Sequence, residues 1–281
     1  MYYVVTLSRR VTPANKRLTA LRRQSKIFSV LLLLRSSFYW GRSLAFKAYH
    51  RRKERFHCPL CDYSGPFIDL HARTGTRESA LCPRCSSLER HRLQLLTLTT
   101  LEKSHDFARM DAIHFAPESF LTKRLRRVFR SYTTADLSMP RVDHQVDLTR
   151  LPFRNASYDL VYASHVLEHI KEDMTAIREI RRILRPNGLA ILPVPIVGDR
   201  TVEYAEPNPV EAGHVRAPGL DYYERYRKVF SDVKVFSSDE FEPTYQVFVY
   251  EDRSHWPTPE MPLRLPSPGV RHADFVPVCL V

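Results

Sequence analysis

The stretch Tyr158-Asp159-Leu160-Val161-Tyr162-Ala163-Ser164-His165-Val166-Leu167-Glu168-His169-Ile170 decides the fold. Its first six residues form a short apolar run, the pattern of a strand buried on both faces. Polar residues begin at Ser164-His165, where that strand ends. In open α/β sheets ligands bind at the carboxyl ends of the strands. Ser164 and His165 are therefore placed at a site, whereas His169 falls at a helix start, where Glu168 and His169 order the first turn.

Working outward, Glu172–Leu184 reads as a charged amphipathic helix stopped by Pro186-Asn187-Gly188, and Leu189–Val194 as the next strand. Upstream, Asp111–Ala116 and Ser131–Asp136 read as strands separated by helical spacing over Phe120–Phe129. Downstream come a helix over Tyr222–Phe230 and strands over Asp232–Phe236 and Thr244–Tyr250. This alternation predicts an α/β domain over 108–253 with a mainly parallel sheet. No helix separates the last two strands, so the sheet is expected to end in an antiparallel hairpin. Residues 254–281 hold six prolines and read as a tail, disordered or extended over the surface.

The net charge of +12 is localised. Residues 1–57 carry fourteen Lys or Arg against Glu54 alone, which is +13 and leaves the remainder at −1. A basic arm, residues 1–55, therefore sets the pI rather than a basic body. Its apolar positions, including Leu18, Leu21, Ile27, Leu31 and Phe38, suit an amphipathic helix that either lies on an anionic membrane surface or packs on the protein. The run Ile27–Leu34 is too short to span a bilayer and lies too late for a secretory signal, so the expected location is cytoplasmic, peripheral to the inner face of the membrane.

Four of the five cysteines form two Cys-Pro-x-Cys knuckles, Cys58/Cys61 and Cys82/Cys85. A structural zinc site takes four thiolates in a closed tetrahedron, and this spacing fits a zinc ribbon. Residues 56–107 are thus read as a Zn2+ module and linker helix, folded with help from the metal because so short a segment buries little core. Ser86 or Ser87 is the expected N-cap of the linker helix.

The block Asp147-Leu148-Thr149-Arg150-Leu151-Pro152-Phe153, the strand and turn quoted above, and Arg182-Ile183-Leu184-Arg185-Pro186-Asn187-Gly188, in that order, resemble the class I S-adenosylmethionine-dependent methyltransferases of the type 11 group over roughly 111–250. The knuckles in front resemble a bacterial subgroup with an N-terminal zinc module, and His214-Val215-Arg216 with Asp221-Tyr222 resembles that subgroup's substrate-side segment. The resemblance implies a Rossmann-like domain that binds S-adenosyl-L-methionine. Asp136, ending the second strand, would accept the ribose hydroxyls, and Asp147 would lie near the adenine amino group. The glycine-rich turn usual after the first strand is replaced by Ala116-Pro117-Glu118. Ala116 is small enough for close approach, and Glu118 can meet the cofactor's amino group. Ser164 and His165 complete the expected cofactor site.

Methyl transfer is an in-line displacement that requires alignment and exclusion of water. A hydroxyl acceptor also needs a base, for which His165 and His214 are the candidates. Arg216 can hold an anionic group, with Tyr222 beside it. No acidic metal cluster is evident. The expected reaction is methylation of a small-molecule or glycan acceptor. Two alternatives stand: a nucleic-acid methyltransferase or binder using the zinc module and basic arm, and a catalytically silent scaffold. The near-neutral body opposes a nucleic-acid partner.

Overall fold

The computed structural model describes residue 41 and residues 43–72 and 75–281; the basic arm lies largely outside them. The chain divides into two compact units, Met1–His50 and Arg51–Val281. In the first, residues 43–49 are helical. Among the described residues no helix is long and apolar enough to cross a membrane.

The second unit begins with two hairpins, β1 (Phe56–Cys58) with β2 (Tyr63–Gly65) and β3 (Ile68–Ala72) with β4 (Gly75–Leu81). Helix α1 (Glu89–Leu101) leads into β5 (Asp111–Phe115), α2 (Ser119–Val128), β6 (Ser131–Asp136), β7 (His144–Gln145), β8 (Tyr158–Ala163), α3 (Asp173–Ile183) and β9 (Leu184–Ile191). A hairpin of β10 (Val202–Asn208) and β11 (His214–Ala217) follows, then α4 (Tyr223–Arg227) and β12 (Asp232–Ser237). The last strands are β13 (Val249–Glu251), β14 (Arg271–His272) and β15 (Phe275–Leu280).

The central sheet has seven strands in the order β12-β15-β9-β8-β5-β6-β7. Strands β7, β6, β5, β8 and β9 pair in parallel, and β15 runs antiparallel to both β9 and β12. This is the Rossmann-like arrangement of class I methyltransferases. Side-chain alternation fills both faces. Ile113, Phe115, Val161 and Ala163 point to the side covered by Ala176, Ile177, Ile180 and Ile183 of α3. Ala112, Leu160 and Tyr162 point to the side covered by Leu93, Leu98, Leu121 and Leu125 of α1 and α2. Both faces of the sheet are thus covered by helices, as parallel strands require.

Two expectations at the end of the chain are corrected. The antiparallel pair is made by β12 and β15, not by Asp232–Phe236 with Thr244–Tyr250. Residues 244–248 instead lead into β13, which joins β14, β4 and β3 in a separate four-stranded sheet. Nor is the proline-rich segment a surface tail. Its last residues fill the gap between β9 and β12, with Val276, Val278 and Cys279 buried. Trp256 and Met261 are buried as well. Proline is tolerated in β15 because Pro277, opposite Val235 of β12, lies where the pairing with β9 ends; its carbonyl accepts from Leu192 N–H at 3.2 Å, and the ladder to β9 begins at the adjacent Val278.

Candidate active site

Strand order reverses between β5 and β8, which places a crevice at their carboxyl ends. Ala116, Glu118, Ser164 and His165 all follow those two strands, and Asp136 ends β6 beside them. Ala116 has φ of 50° and His165 of 54°. Left-handed backbone at a residue other than glycine is strained, and such strain concentrates at functional positions. At Ala116 it supplies the turn that glycine usually makes after the first strand. At His165 it turns the imidazole off the strand end, and the backbone N–H is held by Pro193 O at 2.9 Å.

Glu118 immediately precedes α2 and lies under α1. Its carboxylate is 3.6 Å from His91 Nε2 and 4.0 Å from His114 Nε2. Oε2 of Glu118 is buried and has no hydrogen-bond partner, and neither has His114 Nε2. Burial raises the Glu118 carboxyl above its ordinary range, while burial lowers His114 to about 3 and His91 to about 2. The two imidazoles are therefore neutral here. An acid with a spare oxygen at a strand end fits a cationic amino group. Ser164 is locked from above: Gln94 of α1 donates to its Oγ at 2.8 Å and accepts from the Tyr162 hydroxyl at 2.6 Å.

The two acids proposed for the nucleoside are both turn acceptors in this structure. Asp136 Oδ1 takes the backbone N–H groups of Ser138 and Met139 at 2.8 and 2.6 Å. Asp147 Oδ1 takes the N–H and hydroxyl of Thr149, which hold its carboxyl below the usual range.

Beside His165 opens a cavity of about 460 Å³. Its floor carries His165, Glu168, His169 and His214. Its walls come from elements that sequence periodicity did not connect with the site: Arg77 of β4, Arg90 of α1, Glu251 at the end of β13, Arg253 just after it, and Arg264. Arg253 and Arg264 lie 5.3 and 4.9 Å from the Trp256 ring centroid, so this buried indole props two of the cavity's guanidinium groups.

Arg216 and Tyr222 stand elsewhere. Arg216 is 1 % exposed, and its donors are spent on Glu203 and on the carbonyls of Leu167, Ile170 and Lys171. The Tyr222 hydroxyl is buried and donates to Asp173 at 2.7 Å. Neither lines the cavity, so the anion-holding role expected for this pair is corrected: Arg216 fixes the turn that follows β8.

The four cysteines converge. Cys58 and Cys85 Sγ are 3.6 Å apart, as are Cys61 and Cys82 Sγ, and all four sulfurs lie within 4.8 Å of one another. Zinc–sulfur bonds of about 2.3 Å require a tetrahedral edge of about 3.8 Å, so the cluster is compatible with a zinc module. Each knuckle ends on a left-handed residue, Asp62 at 55° and Ser86 at 61°. The N-cap of α1 is Leu88 rather than either serine, and its N–H is taken by His91 Nδ1 at 3.0 Å. Ser87 instead turns its hydroxyl to the sulfurs of Cys58 and Cys85, at 3.3 and 3.2 Å.

Residues 118–192 match the model of a methyltransferase domain family. That segment runs from Glu118 through β9 and includes Asp136, Asp147, Ser164 and His165. Among solved structures the chain is similar to an S-adenosylmethionine-dependent methyltransferase of Mesorhizobium loti, at 13 % identity over 69 % of this chain and 100 % of that one, with a TM-score of 0.43. It is also similar to the YcgJ protein of Bacillus subtilis, at 14 % identity over 68 % of this chain and 96 % of that one, TM-score 0.37. A third is phosphoethanolamine N-methyltransferase 2 of Haemonchus contortus in complex with S-adenosyl-L-methionine, at 20 % identity over 51 % of this chain and 38 % of that one, TM-score 0.40.

Proposed function

We propose that the chain transfers a methyl group from S-adenosyl-L-methionine to a small or glycan-type acceptor held in the cavity beside His165. The match of residues 118–192 to a methyltransferase domain supports methyl transfer. The observation that carries the reading is the placement of Glu118, Asp136 and Ser164 just at or after the carboxyl ends of the neighbouring strands β5, β6 and β8, with His165, next to Ser164, lining the cavity.

Bound there, S-adenosyl-L-methionine supplies an electrophilic methyl on a sulfonium. The chain's own residues bind and orient. Glu118 takes the amino group with its unpartnered Oε2, and the free oxygen of Asp136 takes the ribose while Oδ1 keeps its turn. Gln94 and Tyr162 fix Ser164, so the strand end does not yield when ligand binds. His165 accepts the acceptor's proton, with Glu168 Oε1 3.2 Å from its Nδ1 to stabilise the imidazolium. Arg253 and Arg264, propped on Trp256, form one wall of the cavity. The cavity's mixture of cations and acids suits a polar acceptor bearing hydroxyl or anionic groups.

In this reading Zn2+ occupies the four thiolates in a structural role, and the basic arm supplies any attraction to an anionic membrane face from the cytoplasmic side. Calorimetry of the full chain with S-adenosyl-L-methionine tests the function. One site per chain is expected, with thermal stabilisation that grows with ligand concentration. No heat and no shift in Tm at saturating cofactor would establish a silent scaffold. The nucleic-acid alternative predicts salt-dependent RNA or DNA binding that persists after residues 1–55 are removed.

A further inference from the structure

We infer that Glu168, His169 and His214 form a second metal site, for a divalent first-row cation, on the floor of the cavity. One donor atom from each lies within 4.8 Å of the other two. Two imidazoles and a carboxylate are a borderline donor set that takes such cations at about 2.0–2.2 Å and leaves coordination positions open. Loading requires the donors to close by roughly 1 Å, a side-chain adjustment.

Three independent features point to a ligand. First, the Glu168 side chain is fully buried; its Oε1 lies 3.2 Å from His165 Nδ1, yet neither carboxylate oxygen accepts an aligned hydrogen bond. A buried carboxylate short of hydrogen bonds is costly, and a coordinated cation lowers that cost. Second, His214 is already oriented. Its Nε2 faces Glu168 at 4.0 Å, while its Nδ1 faces Glu211 at 3.4 Å. Glu211 is itself held by Arg264 at 2.7 Å and by the Tyr204 hydroxyl at 2.9 Å. A carboxylate behind a ligating imidazole fixes the tautomer that presents a lone pair to the metal. Third, Arg216 ties the two halves together. It lies two residues after His214 on β11 and donates to the carbonyls of Leu167, Ile170 and Lys171, which bracket Glu168 and His169. The buried guanidinium that does not reach the cavity thus holds its ligands in register.

The open positions face the cavity beside His165. Given methyl transfer, on which this extension rests, the cation would hold an acceptor through oxygen and lower the pKa of a coordinated hydroxyl.

The test adds Co2+ to full-length protein already carrying one zinc per chain. One further cobalt is expected, with weak ligand-field absorption and no thiolate-to-cobalt charge transfer. His169→Ala, at an exposed position, should weaken cobalt binding at least about tenfold with Tm unchanged, because even losing a residue behind a ligand costs 10–100-fold. Glu168→Gln should weaken it likewise. Failure to bind that one cobalt, appearance of thiolate charge transfer, or wild-type cobalt affinity in both variants overturns the site. S-Adenosylmethionine calorimetry on the same samples separates that failure from failure of the methyl-transfer reading.

Discussion

Arg92 and Gln246 lie 154 residues apart in the chain and are joined by a 2.6 Å bond from Nη2 of the arginine to the carbonyl of the glutamine. The same buried guanidinium donates to the carbonyls of Ala80, Ser87 and Tyr245, and its carbon sits 4.6 Å from the Phe67 ring centroid. The cysteine module, the helix α1 and the segment between β12 and β13 therefore meet on one side chain.

Substituting Arg92→Met should destabilise the protein by roughly 3 kcal/mol or more, since hydrogen bonds to a charged group contribute about 1.5–3 kcal/mol and several carbonyls lose their donor together. Arg92→Lys should recover only a small part, because one ammonium cannot reach acceptors spread around a planar fork. Denaturant unfolding of the two variants measures both effects. Equal stability of Arg92→Met and wild type would remove the arginine from this role.

For the cofactor, Asp136→Asn is the informative change. An amide oxygen can still cap Ser138 and Met139, so Tm should hold. The ribose loses its charged acceptor, and affinity for S-adenosyl-L-methionine should fall by about 1.5–3 kcal/mol, roughly ten- to hundredfold. Calorimetry with unchanged affinity would assign the ribose to another residue.

Acid stability follows from His114. Burial lowers its pKa from 6.5 to about 3 in the folded chain. Below pH 6.5 the unfolded chain takes up a proton there that the folded chain refuses, so the contribution is complete above that value. It is lost as pH falls toward 3, at up to roughly 1 kcal/mol per pH unit. His114→Asn should flatten this part of the curve relative to wild type. Parallel stability curves between pH 6.5 and 4.5 would contradict the assignment.

Zinc content and folding should move together. One zinc per chain is expected from elemental analysis, and Cys82→Ser with Cys85→Ser should abolish it. Because Arg92 bonds to Ala80 and Ser87 on either side of Cys82, metal loss should also lower the Tm of the whole Arg51–Val281 unit. A separate, independent transition for the module would show that the two are uncoupled.

Truncation after Arg253 should yield unfolded or aggregated protein, since it removes β15 from between β9 and β12 and exposes two strand edges. A soluble, cofactor-binding fragment would restore the reading of residues 254–281 as a dispensable tail.

Local pattern made much of this molecule legible. Strands β6 and β8 lie where alternation and apolar runs place them, because burial on both faces demands near-continuous apolar residues over a few positions. The cysteine knuckles were visible because both ligand pairs are local in sequence. What the sequence by itself determined was the α/β core, the four-thiolate cluster, and the strand-end positions of Ala116, Glu118, Ser164 and His165. Tertiary structure alone decided the rest. Proline density hid β15, since a strand that completes a sheet is recognised by its neighbours and not by its own composition. Arg216 looked available for a ligand because no local pattern shows that three carbonyls surround it. Glu168, His169 and His214 showed no metal spacing, since the two histidines lie 45 positions apart and only the packing of β11 on the turn after β8 brings them together. Each of these depends on side chains distant in sequence meeting in a low-dielectric interior, where an unpaired polar group costs enough to dictate its partner.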